Sequence, residues 1–149
     1  MTIATPSIIE AIKDLRNTRG IIAPVDVVNA ARPVDSPLHE YFEWDDGVAA
    51  DAYRIVQAQL LLRVTVTMLA GANGEMTNVR AFVSLTSEQG YRSTVDVLAD
   101  TSHRSQLIAD AMRDMQIFKR KYGHLKELAD VFAAMEHVGV GRARRSRTG

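Results

Sequence analysis

The sequence predicts an α+β fold with three N-terminal helices, a central antiparallel β-hairpin joined by a third strand near Tyr91, and two C-terminal helices. Three observations carry this reading. Apolar residues recur at helical intervals through the first sixty positions, the period changes to two from Arg63 to Leu85, and it returns to helical spacing after Asp100. The chain has 149 residues, 46% of them hydrophobic and 24% charged, which is the composition of one globular domain. A chain of that length buries roughly 70% of its unfolded surface, so a core forms without disulfides or metal.

The elements follow in order. Ser7-Ile8-Ile9-Glu10 has capping-box spacing, and Ile8, Ile12 and Leu15 then recur at helical intervals before Gly20, which predicts a helix over 8–17. Pro24 suits the first turn of a second helix that presents Val25, Val28 and Ala31 on one side and ends at Pro33. Ser36-Pro37 repeats the signal, so 37–42 form one or two turns carrying Leu38 and Phe42. Asp45 or Asp46 caps a third helix. There Val48, Ala52, Ile55 and Gln59 alternate with Ala49, Tyr53, Val56 and Leu60, a broad apolar face that predicts a central, well-buried helix.

Val64, Val66 and Met68 then fall on one face of a strand and Thr65 and Thr67 on the other. Gly71-Ala72-Asn73-Gly74 is turn chemistry, after which Val79, Ala81, Val83 and Leu85 resume the alternation. Beyond a cap at Asp100 or Thr101, Leu107, Ile108, Ala111, Met112, Met115, Phe118 and Tyr122 trace one stripe of a long helix that Gly123 breaks. A last helix carries Leu125, Leu128, Phe132 and Met135. Residues 1–138 read as one globular domain and 139–149 as a flexible basic tail. The first two helices loosely resemble a winged-helix start with the hairpin as wing, although about 15 residues separate the second and third helices where the compact motif uses 3–4.

Several function classes drop out. With no cysteine, the chain holds no disulfide, thiolate zinc site, iron–sulfur cluster or cysteine nucleophile. The first twenty residues lack a basic start and a continuous apolar run, and no apolar stretch reaches the 18 or so residues of a membrane span, so a cytoplasmic protein is expected. Gly71 and Gly74 lack the lysine and the strand–helix setting of a phosphate loop. His39, His103, His124 and His137 show no metal-ligand spacing and no nucleophile partner.

Two constellations remain. Glu40, Glu43, Asp45, Asp46 and Asp51 place five carboxylates within twelve positions, beside His39 and Trp44. Hard cations take such oxygen ligands, which makes a metal-dependent nuclease centred on Glu40, Glu43, Asp45 and Asp46 the one enzyme to consider. Acidic residues before a helix serve equally well as caps, and the expectation is no enzyme, no metal and no cofactor. The second constellation is basic. Residues 1–100 hold 8 Lys/Arg against 13 Asp/Glu and residues 101–149 hold 10 against 5, so net charges of −5 and +5 hide behind an overall zero. Lys119, Arg120, Lys121, Lys126, Arg142, Arg144, Arg145 and Arg147 form a field that attracts nucleic-acid phosphates.

The run SPLHEYFEWDDGVAADAYRIVQAQLLL at 36–62, the strand VRAFVSL at 79–85, Tyr91-Arg92 and KYGHLKEL at 121–128 resemble a set of small proteins encoded by bacteriophages and prophage regions of bacterial genomes. The resemblance covers most of the chain. It implies a phage context, and therefore the cytoplasm of a bacterial host, and it brings no activity and no catalytic residue. The expected function is a non-enzymatic accessory protein that binds DNA through its basic C-terminal region. The alternative is a protein–protein module, self-assembling or aimed at a host protein, with Glu40, Glu43, Trp44 and Asp45 facing the partner.

Overall fold

The computed structural model describes residues 5–48 and 50–146, with side-chain surroundings through Val138. The fold is α+β, with six α-helices among the described residues and two small antiparallel β-hairpins. The chain divides into two compact units, 1–104 and 105–149, and the boundary falls inside a helix.

Unit one begins with α1 (Pro6–Lys13), which buries Ile8 and Ile12. The helix starts earlier than the capping-box reading places it. Pro6 takes the first helical position, so Ser7 lies inside the first turn, and Glu10 pairs with Lys13 at 3.8 Å. It also ends sooner, because the Asn17 side-chain oxygen accepts hydrogen bonds from the amides of Arg19 and Ile21 and folds the chain into a turn at Gly20. α2 (Pro24–Ala31) buries Val27, Val28 and Ala31, while Val25, expected inward, is exposed. A 3-10 turn over His39–Tyr41 follows, flanked by buried Leu38 and Phe42.

α3 (Asp51–Val64) starts four residues later than a cap at Asp46 would place it. Asp45 accepts from the Gly47 amide and Asp46 reaches Arg54, so neither carboxylate caps the helix. The helix is also only half buried. Ala58, Leu61 and Leu62 face the core, and Tyr53, Val56 and Leu60 face outward. Thr65 ends the helix by donating its hydroxyl to the Leu61 carbonyl.

β1 (Val66–Ala70) and β2 (Met76–Arg80) pair from Val66–Arg80 to Ala70–Met76 around a turn in which Gly74 holds φ at 84°. The alternation read through Val79, Ala81, Val83 and Leu85 breaks at Ala81, whose amide donates to the Thr65 carbonyl and whose carbonyl accepts from Thr94. That bend turns Phe82 into the core instead of Val83. β3 (Phe82–Val83) pairs with β4 (Arg92–Ser93), the expected third strand, and Tyr91 makes an antiparallel bridge to Ile22. A short helix that the periodicity did not reveal, α4 (Thr94–Ala99), then buries Thr94 and Val97. The core gathers Ile12 from α1, Ile22 and Leu38 from the connecting segments, Val27 from α2, Leu62 from α3 and Phe82 from β3.

α5 (Thr101–Tyr122) begins after Asp100, whose carboxylate accepts from the His103 amide as an N-cap does. It ends at Gly123, where a Cβ would lie 2.5 Å from the Lys119 carbonyl oxygen. A 3-10 turn at Lys126–Leu128 leads into α6 (Ala129–Ser146), whose backbone stays helical through Gly139 and Gly141. Within unit two Phe118 meets Phe132 and Tyr122, and Phe132 is the one buried side chain among its described residues.

Candidate nucleic-acid interface

The acidic constellation is built around a residue that the sequence reading left out. Arg54 points its guanidinium from α3 under the 43–51 segment, where it donates to the Glu43 carbonyl at 3.1 Å, Asp51 at 3.1 Å and Asp46 at 2.5 Å. Its side chain is buried while both carboxylates stay largely in water. Arg32 also reaches Asp51, and the hydrogen bonds from Arg32 and then Arg54 hold the Asp51 carboxyl below its ordinary range.

Trp44 sits on the same scaffold. Its indole N–H donates to the His39 carbonyl at 2.9 Å, its ring stacks on His39 at 5.0 Å, and the guanidinium carbons of Arg54 and Arg32 lie 5.3 and 5.8 Å from its centroid. Glu43 accepts from the Asp45 amide, and Glu40 is exposed. The segment is thus a clasp that fixes the entry to α3, and among the described residues no three His, Asp or Glu gather as metal ligands. The signal for Arg54 was present in the sequence: it stands four residues before Ala58 on the core-facing side of α3, a position otherwise apolar.

A second polar cluster of unit one joins Arg19, Glu88, Arg92, Asp100 and His103. Arg92, buried, forks onto Glu88 at 2.6 and 2.7 Å and donates to the Arg19 carbonyl, while His103 lies 3.8 Å from Glu88 and 3.5 Å from Asp100. Arg92 holds the Glu88 carboxyl below its ordinary range. Arg19, Ile21, Ser87, Glu88, Gln89 and Arg92 line a pocket of about 650 Å³ beside it.

Unit two carries the candidate basic residues and a net positive charge. Between 105 and 149 there are 9 Lys/Arg against 5 Asp/Glu, and between 1 and 104 there are 9 against 13, so the charge division follows the division into units. Lys119, Arg120 and Lys121 occupy the last turn of α5, where the helix dipole favours cations. The three differ in what they face. Lys119 donates to Glu136 at 2.7 Å and holds that carboxyl below its ordinary range, and Lys121 sits 5.1 Å from the Tyr122 ring. Arg120 is exposed with no ion-pair partner among the described residues, and so is Lys126 on the following turn. Arg142, Arg144 and Arg145 lie on the helical backbone of α6 beyond the described side chains, and Arg147 lies outside the described residues.

No protein-family model, curated protein or solved structure matches this chain. No helix among the described residues is long and apolar enough to cross a membrane.

Proposed function

We propose that this chain is a non-enzymatic accessory protein that binds DNA through unit two, in the bacteriophage or prophage setting its sequence resembles and hence in the cytoplasm of the bacterial host. The observation that carries the reading is the separation of charge along the boundary between the units. Unit two holds exposed cations that no carboxylate among the described residues neutralises, Arg120 and Lys126, close to the end of a helix whose neighbours are also basic. Such groups release counterions from a phosphate backbone without reading base sequence. The winged-helix likeness of the first half would add the β1–β2 hairpin as a wing. Its charged residues are Glu75 and Arg80, so it brings no net charge to a phosphate backbone and the affinity rests with unit two.

The test is a titration of duplex and single-stranded DNA at two salt concentrations, with the parent chain and with Arg120→Ala/Lys126→Ala. The parent binds in a salt-sensitive way, and the double variant lowers the slope of log affinity against log salt by about 1.8 on duplex. Absence of binding at low salt, or an unchanged slope in the double variant, overturns the reading.

A further inference from the structure

The outward face of α3 contradicts what its sequence asks for. Its apolar residues are spread over more than one side of the helix, between Asp51, Arg54, Gln57, Gln59 and Arg63, so the core of unit one cannot cover all of them. The core covers one side through Ala58, Leu61 and Leu62. On the other, Tyr53, Val56 and Leu60 remain 51%, 53% and 52% exposed, with Val48 exposed just ahead of the helix. Arg63, exposed and without an ion-pair partner among the described residues, completes the row.

Tyr53, Val56, Leu60 and Arg63 are spaced three, four and three residues apart, the seam of a two-helix contact. The row is complementary to itself when a copy is turned end for end. Val56 of each chain then meets Leu60 of the other, and Arg63 of each meets the ring of Tyr53, where a guanidinium is attracted by the aromatic face. Charge selects the same direction. The approach to α3 carries five carboxylates between 40 and 51, against which unit one sets the two guanidinium groups of Arg32 and Arg54, so an acidic surplus waits at the N-terminal end. Arg63 stands at the C-terminal end, and only the antiparallel arrangement brings it to that surplus on the second copy.

We propose that a second copy of this chain covers the outward face of α3, the two α3 helices packing antiparallel about a two-fold axis. The interface lies on unit one and does not depend on the DNA reading, which rests on residues of unit two.

The test is sedimentation equilibrium of the full chain without nucleic acid from about 1 to 200 μM, a range that suits an interface at the small end of the specific class. The expected mass rises from 16.5 kDa toward twice that value. Val56→Asp holds the protein at the monomer mass with unchanged far-ultraviolet circular dichroism, because the side chain faces away from the core. Tyr53→Arg alone weakens the dimer about tenfold or more, and Tyr53→Arg combined with Arg63→Tyr restores it, since the exchange rebuilds the same layer with the partners reversed. The absence of native cysteine allows one more arm: Val56→Cys/Leu60→Cys closes into a covalent dimer under mild oxidation. A monomer across the whole range, or a dimer indifferent to Val56→Asp, overturns the proposal. Failure of the exchange to restore association overturns the antiparallel register.

Discussion

The two units hold their helices together in different ways. Unit one folds short elements around a sealed interior in which Ile12, Ile22, Leu62 and Phe82 are within 1% of complete burial. Unit two takes all but the first four residues of the 22-residue α5, the longest helix among the described residues, and encloses a single side chain among its own described residues, Phe132 at 8% exposure. Short helices are marginal in water and need tertiary packing, whereas long ones draw more on their own hydrogen-bond ladder and on pairs such as Asp110–Arg113. The difference teaches that interior and surface are assigned separately in this chain. Unit one stores stability, and unit two displays charge on helices that need little interior to stand.

Substitutions in the two units should therefore differ most in the core. Phe82→Ala is expected to destabilise unit one by about 3–5 kcal/mol, read from the urea midpoint. Phe132→Ala should leave that transition in place and loosen amide protection in α6 alone. If both lower the same transition equally, the contrast between the units is broken. Next in size is Arg54→Ala, which frees the 43–51 segment from α3. The cost expected from its charged hydrogen bonds is about 2 kcal/mol, accompanied by a red shift of Trp44 fluorescence as the ring loses the Arg54 guanidinium beside it and water takes its place.

The pH response sharpens the comparison further. Glu88 has a folded-state pKa below its unfolded value because Arg92 forks onto it. Its contribution is fully present above the unfolded carboxylate pKa and is lost as pH falls through the depressed folded value. Glu88→Gln should flatten the acid limb of unit-one stability, measured as Tm between about pH 5 and pH 2. The smallest effect expected is Lys119→Ala, which removes the exposed pair with Glu136 and costs about 0.5 kcal/mol or less, lost in high salt.

Much of the architecture was legible because periodicity and punctuation agree. Pro24 opens α2, Gly74 turns the β1–β2 hairpin, Asp100 caps α5 and Gly123 stops it, each for a local reason. The errors arise where a distant partner decides. Asp46 resembles a cap until Arg54, eight residues on, takes its carboxylate. Ala81 reads as one step of an alternating strand, but backbone bonds to Thr65 and Thr94 bend it and reverse the phase at Phe82. α4 has six residues, too few for periodicity to register. Of the candidate site residues, the basic set was visible as composition. The clasp on Arg54 and the fork of Glu88 on Arg92 depend on side chains meeting in space.

The bridge between Ile22 and Tyr91 also bears on the order in which the chain is made. Its two backbone hydrogen bonds, the donation from Arg92 to the Arg19 carbonyl and the pair Arg16–Asp96 all tie the segment between α1 and α2 to residues of 91–96, about 70–80 positions later. Gly90 lets this seam close, since a Cβ there would stand 2.7 Å from the Ile21 side chain. During synthesis at about 5–20 residues per second, the first two helices emerge roughly 4–14 seconds before the strand that secures them. Over that interval Ile12 and Ile22 have no completed interior to enter. During synthesis the segment around Ile12 and Ile22 therefore stays open to proteases and chaperones until residues 91–96 have left the ribosome.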